Sequence, residues 1–396
     1  MKKLVLFWSF LLGSCIVLFA QTKVPFQLSL VYPIGTNGTN TDVINHTSIN
    51  LFAGMATGLE GVEVGGFANV NKQNVKGMQV AGYLNVTGGE SKGVALAGFS
   101  NIAQTAQGMQ VAGFLNTAGT GTNKLCQFGG FGNVVSNLNG LQLAGFFNLG
   151  KTIRGFQGAG FLNAAINAHC TQMAGFTNIA ADSATVQIAG FMNISNGDAV
   201  TQVASMLNVA RKSKGTQLGF INIADSSNNQ IGFVNISHNS NEQIAVWTDE
   251  VLTTSVAFKS GGRRFYGFLG LCIGADDNLR YGTTAGLGIR SYLSEKIHLD
   301  MELSSKFLFK DFEDKTDNCK DIKHWNSSSL KALLVIPIGS RVELFAGPSI
   351  NYRFSNSAEG AKIPSNLSIW KDNNSTKTRL NEIYAGATGG IAVRIN

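Results

Sequence analysis

Gly108-Met109-Gln110-Val111-Ala112-Gly113-Phe114-Leu115-Asn116 is the clearest copy of a pattern, G-x-Q-x-A-G-F-x-N, that recurs through residues 61–236. The closing asparagines mark the interval: Asn69, Asn85, Asn101, Asn116, Asn133, Asn148, Asn163, Asn178, Asn193, Asn208, Asn222 and Asn235. Successive steps are 16, 16, 15 and 17 residues, then five of 15, then 14 and 13, so twelve units of about fifteen residues follow one another. Self-similarity at a short fixed period is the signature of a repeat architecture.

Each fixed residue has a physical reading. Alternate β-formers such as Met78, Val80, Leu84 and Val86 make the unit strand-like. The glycine before the aromatic, as at Gly82, Gly113, Gly145, Gly160, Gly175 and Gly190, removes a side chain where the backbone bends or approaches a neighbour. Phe114, Phe146, Phe161, Phe176 and Phe191 follow it and are expected to stack between copies. Asn116, Asn148, Asn163, Asn178 and Asn193 suit the strand exit, since asparagine tolerates left-handed turns and bonds its own backbone. The last two units lack the alanine, as in Gln217-Leu218-Gly219-Phe220-Ile221-Asn222. A one-residue deletion flips the facing of a flat strand, so the Ala-Gly step is read as a corner joining two short strands.

Two architectures hold such an array. In a parallel β-solenoid each unit is one coil and the Phe, Gln and Asn residues form ladders. In one large antiparallel barrel each unit is a transmembrane strand, with short turns alternating with long loops. The connections at 102–107, 134–139 and 164–169 stay near six residues, and this evenness favours the solenoid. Of fourteen charged residues between 61 and 240, all but Glu63 fall in connections.

The N-terminus reads as an export signal. Lys2 and Lys3 precede an apolar run, and cleavage after Ala20 fits the small residue needed there, giving a signal peptide over 1–20. A lipoprotein box, Leu12-Gly13-Ser14-Cys15 with Cys15 acylated, leaves apolar residues 16–19 in the mature chain and ranks second. With 47 glycines, 5 prolines and 14% charged residues in 396, the chain is lightly charged, and no run of eighteen apolar residues follows the signal. The net charge of +7 comes from scattered residues, with Arg211, Lys212 and Lys214 and the pair Arg263 and Arg264 as its clusters, so nucleic acid is not an expected partner.

Beyond residue 251 longer alternating strands appear. In 297–309, Ile297, Leu299, Met301, Leu303, Phe307 and Phe309 share one face, and His298, Asp300, Glu302, Ser304 and Lys306 the other. Residues 341–354 repeat the split, with Arg341, Glu343 and Arg353 on the polar face. Seven such strands are expected, at 251–258, 264–274, 283–293, 297–309, 329–338, 341–354 and 382–395, joined by alternately short and long connections. That rhythm is an antiparallel outer-membrane β-barrel with its C-terminus in the periplasm. Single-chain barrels use even strand numbers, and Phe26, Leu28, Leu30 and Tyr32 nominate 26–33 as the eighth. The domains are then 21–47 as first barrel strand and loop, 48–245 as the array and 246–396 as the remaining barrel, with the array inserted outside the cell.

The motif, the opening Leu28-Ser29-Leu30-Val31-Tyr32-Pro33-Ile34-Gly35-Thr36-Asn37-Gly38 and the closing strands together resemble the bacterial surface-repeat outer-membrane proteins, whose copies read G-x-Q-I-G-L-x-N or G-x-Q-x-A-G-F-x-N. The resemblance covers nearly the whole mature chain and implies surface or outer-membrane placement in a Gram-negative bacterium. It brings no reaction, ligand or catalytic residue. Asn396 departs from the usual terminal aromatic, while Ile395 keeps an apolar penultimate position.

No catalytic constellation stands out. His46, His169, His238, His298 and His324 are far apart, and no phosphate loop, dinucleotide fingerprint or G-x-S-x-G elbow occurs. Cys126 and Cys170 lie three repeats apart, about 14 Å in a stack and beyond bridging reach, and Cys272 and Cys319 add no framework. The acidic residues 311–321 are interleaved with lysines and read as a solvated loop. The expected function is therefore non-enzymatic, without cofactor or metal: a barrel held in outer-membrane lipid that displays the repeats to an extracellular protein or glycan. The second reading is a channel whose wall the repeats build.

Overall fold

The computed structural model describes residues 21–262, 264–275, 279–294, 297–310, 324–355, 366–373 and 380–395. Residues 1–20, expected from sequence to be a signal peptide and including Cys15, the acidic stretch with Cys319, and Asn396 lie outside them. The described residues are strands and their connections, without a helix. The chain divides into two compact units at 151/152.

The array is a parallel β-solenoid of about 13 turns. One strand ends at the alanine of a motif, Gly-Phe turns the corner, and the next begins at the residue before the asparagine, as in Ser100–Ala112 followed by Leu115–Gly129. Neighbouring coils pair like with like: in the first unit Asn101 opposes Asn116 and Gln110 opposes Gln127, and in the second Asn163, Asn178, Asn193 and Asn208 align in turn. Parallel pairing excludes the single large antiparallel barrel, whose neighbouring strands must run in opposite directions.

The corner needs glycine for space. A β-carbon on Gly113 falls on the carbonyl oxygen of Gly98, and the same overlap meets Gly82, Gly145, Gly175 (against Gly160) and Gly190. The close approach lets Phe114 N bond Phe99 O at 2.9 Å.

The asparagines do not make turns, contrary to the sequence reading. They are extended strand residues pointing inward, and Asn116, Asn163, Asn178 and Asn193 are fully buried. Each Nδ2 donates to the Oδ1 of the next coil's asparagine at 2.9 Å in Asn101–Asn116, Asn116–Asn133, Asn163–Asn178 and Asn178–Asn193. Its second N–H reaches a backbone carbonyl ten to twelve residues on, as Asn178 to Ile188 at 2.7 Å and Asn116 to Phe128 at 2.8 Å. A partner one coil away is available only after stacking, so local propensity names the wrong role.

A second correction concerns the opening segment. Thr22–Val31 pairs in parallel with Val43–Ala56, Phe26 opposite Thr47 and Gln27 opposite Ser48, so 26–33 belongs to the solenoid and 21–47 is its first part. Its alternation reflects a buried amide row, Gln27 with Ser29, under an exposed apolar row.

The eighth barrel strand is Asn241–Asp249. It pairs antiparallel with Thr253–Gly261 on one side and with Leu380–Arg394 on the other, closing the barrel. Between them run Phe265–Ala275, Leu279–Ser294, Ile297–Lys310, His324–Ile338 and Val342–Ser355. A ninth strand, Ser368–Asn373, pairs with Leu380–Arg394 outside the closed set. The strand ends Gly261, Phe265, Ser294, Ile297, Ile338 and Val342 share one end of the barrel with the entry from the solenoid at Asn241 and with Arg394; Asp249, Thr253, Ala275, Leu279, Lys310, His324, Ser355 and Leu380 share the other, where the short connection 250–252 also lies. The array is thus not an insertion between two barrel strands but precedes all eight.

Replacing Gly113 by alanine forces two backbones apart and is expected to cost about 2 kcal/mol or more, as overpacking does. Removing the half-exposed ring by Phe114→Ala should cost less. Thermal melting of the full chain followed by circular dichroism ranks the two; the reverse order would mean that ring packing, not backbone approach, sets the corner.

Candidate functional site

The barrel is polar inside and apolar outside. Alternation sends every second side chain inward, and the inward rows carry the charges. Lys259 lies 2.6 Å from Glu302, which also accepts the Tyr266 hydroxyl at 2.9 Å and faces Lys331 at 3.9 Å. Arg290 grips Asp300 through Nε and Nη2 at 3.1 and 3.2 Å and stands 3.9 Å from Glu343. Arg353 meets Glu382 at 2.6 Å, and Lys306 pairs with Asp249. Lys259 is also ringed by Trp247, Tyr266, Phe268 and Phe345, 4.5 Å above the last. The interior is a set of ion pairs packed against aromatic rings.

Of the lumen residues expected from sequence, His298, Asp300, Glu302, Lys306, Glu343 and Arg353 point inward as expected; Arg341 is exposed in a tight connection. Asp249, Lys259, Tyr266, Arg290, Lys331 and Glu382 were not anticipated. The same two-residue alternation carries them, but Lys259 and Asp249 sat beyond the expected strand limits. Outside, Ile297, Met301, Leu303, Phe307 and Phe309 face outward together with Leu271, Ile289 and Ile350, and Leu303 is 63% exposed.

The solenoid repeats that inversion. Its core is amide: besides the asparagine ladder, Gln127 donates to Gln110 at 2.9 Å and Gln142 to Gln127 at 2.8 Å in the first unit, and in the second Gln172 to Gln157, Gln202 to Gln187 and Gln217 to Gln202, each at 2.8 Å. The two ladders run oppositely, asparagine donating toward higher numbers and glutamine toward lower. The aromatic side chains stand outside at the corner, each about 40% exposed. In the first unit rings from Phe52 to Phe146, Phe114 among them, stack with centroids 4.6–5.1 Å apart. In the second, Phe161, Phe176 and Phe191 stack at 4.9 and 5.0 Å, Met206 takes the next position, and Phe220 and Phe233 follow at 5.1 Å. Apolar side chains flank the corner, among them Met173 and Leu218 before it and Ile223 and Ile236 after it. Charges keep to the connection side, where Asp198 meets Lys214 at 2.9 Å and Arg211 at 3.3 Å.

Glu63, a buried charged residue of the repeat strands, occupies a glutamine position and ends that ladder. It accepts from Gln79 at 3.1 Å, Asn71 at 2.6 Å and Asn50 at 3.1 Å. An acceptor-only carboxylate matches three converging amide donors. Burial pushes its pKa above the ordinary carboxylate range, while the bonds from Gln79, Asn71 and Asn50 pull the other way.

In the second unit the last coil meets the barrel. Asn235 N donates to Ser260 Oγ at 2.8 Å and Asn235 Nδ2 to Ser260 O at 3.0 Å, so the strand Thr253–Gly261 receives the end of the asparagine ladder. Ser260 and its cross-strand partner Gly267 are outward wall positions, and the place of a Gly267 β-carbon is taken by Gly232 O and Phe233.

Cys126, Cys170 and Cys272 are free thiols, and burial pushes Cys170 up to about 12. Among the described residues no three His, Cys, Asp or Glu side chains gather as a metal site.

A raised folded-state pKa means that the Glu63 contribution to stability is fully present below the unfolded value, near 4.5, and is lost as pH rises through the folded value. Glu63→Gln removes the charge, so its melting temperature should gain on the parent's as pH climbs from about 4 to 8. A difference that stays flat across that range would show that the folded coil does not raise the Glu63 pKa above its unfolded value.

Comparison with known proteins finds no match to this chain among family models, curated proteins or solved structures.

Proposed function

We propose that this chain is a non-enzymatic outer-membrane protein whose C-terminal barrel is the anchor and whose solenoid is an interaction surface. The inverted barrel carries the reading: ion pairs fill an eight-stranded interior while Leu271, Leu303 and Ile350 face outward, an arrangement stable where lipid bathes the wall. The motif's resemblance to surface-repeat proteins and the apolar leader support the same placement.

The side follows from the strand count. In the outer-membrane plan tight connections and termini lie in the periplasm. The solenoid enters at that end, so the reading now favours the periplasmic face over display outside, and an extended partner, protein or glycan, would meet the polar connection side of the coils. A channel is the weaker reading, because the repeats build no wall and the small barrel is filled by its own side chains.

Expressed in a Gram-negative host, the full chain should fractionate with the outer membrane, migrate faster on gels before boiling than after, and conduct little in planar bilayers. Recovery in the soluble fraction without a boiling shift would end the anchor reading; large steady conductance would restore the channel.

A further inference from the structure

We propose that the aromatic corner of the second unit's coils, residues 152–236, is a lipid-contact surface, so that these coils lie along the inner leaflet of the membrane that the barrel crosses. The proposal rests on the barrel reading above and adds a second membrane-bound element to it.

Three observations carry it. The corner is too apolar for water: Phe161, Phe176, Phe191, Met206 and Phe220 form an exposed row, flanked by Met173, Leu218 and Ile223, while Arg154, Asp182, Asp198, Arg211, Lys212 and Lys214 all project from the connection side. An uninterrupted stripe of this kind on a monomer marks a covered surface. Beside a polar, charged face it is the amphipathic division of elements that lie in a membrane interface.

The row is also continuous with the wall proposed to face lipid. The coil leaves the barrel through outward positions, because Ser260 Oγ and the Gly267 site point away from the lumen and meet Asn235, Gly232 and Phe233. A stack beginning on the outer face of the wall departs sideways from the barrel, along the membrane plane rather than along its normal.

The roll of the coil agrees. The Asn228 carbonyl, on the connection side, stands beside Gly262 in the tight connection, and Asn239 of the segment entering the barrel donates to Ser227 O at 2.7 Å. The polar side is therefore toward the tip of the barrel. Gly232 and Phe233 sit farther up the strand at Gly267, toward Leu269, Leu271 and Ile273. A second copy of the chain would cover the stripe equally well, but neither the continuity nor the roll requires one.

The test uses the full chain in proteoliposomes containing phospholipid brominated on its acyl chains, which quenches tryptophan on contact. Phe176→Trp and Phe191→Trp report the corner, Asp182→Trp the polar side and Leu303→Trp the barrel wall, each read as a difference from the unsubstituted protein. The expected result is blue-shifted, bromolipid-quenched emission at 176, 191 and 303 and none of this at 182. Quenching at 303 alone overturns the lipid corner and leaves the anchor intact. Blue-shifted but unquenched emission at 176 also overturns it and assigns the stripe to a protein, with crosslinking to show a second copy. Absence of quenching at 303 overturns the anchor reading itself.

Discussion

The solenoid's interior carries two continuous rows of amides beside alanines and a few larger apolar side chains such as Leu59, Leu138 and Ile153, and amides in a dry interior must be paired. An unpartnered buried amide costs about 1–3 kcal/mol, and here every rung depends on the coil beside it. Register is thereby fixed at asparagine and glutamine and left free elsewhere. Departures from fifteen are absorbed on the connection side: the pairing passes from a 17-residue to a 15-residue offset between Val135 and Asn137, and from 14 to 13 between Ser213 and Thr216. With amides inside, the strand's other row has to be outside, and the exposed aromatics follow from the core.

This inversion explains both what was legible in the sequence and what was not. The period and the even connections were enough for parallel coils, and the corner was readable from one missing alanine. Which row faces inward was not readable, because alternation separates two faces without labelling them. Gln27 and Ser29 alternating with Phe26 and Leu28 describe a barrel strand and an amide-cored coil equally well, which is why the opening segment was misplaced. The true eighth strand escaped because Ile244 and Val246 are its only strongly apolar outward residues, between Glu242 and Asp249. Glu63 stood out as a lone charge; its partners Asn50, Asn71 and Gln79 come from three different strands and meet only in the folded coil.

Solenoid and barrel thus share one chemical plan by different means. In the barrel the interior polarity is ionic and held by bidentate and aromatic contacts; in the coils it is neutral and held by repetition. Removing one partner is costly in either, since a buried charge or amide is left behind.

The ladders also have a direction, and a directional chain of bonds can be stopped by a suitable end group. A bare parallel stack is a template onto which further strands add, the route to fibres. Here both ladders are chemically stopped: Ser260 takes the last asparagine's donor where the coils meet the barrel, and Glu63, beneath the opening strands Thr22–Val31 and Val43–Ala56, takes the last glutamine's donor with no amide of its own to hand on. The barrel therefore acts on the solenoid as a chain terminator, limiting polymerisation of a sequence whose every unit is otherwise complementary to itself.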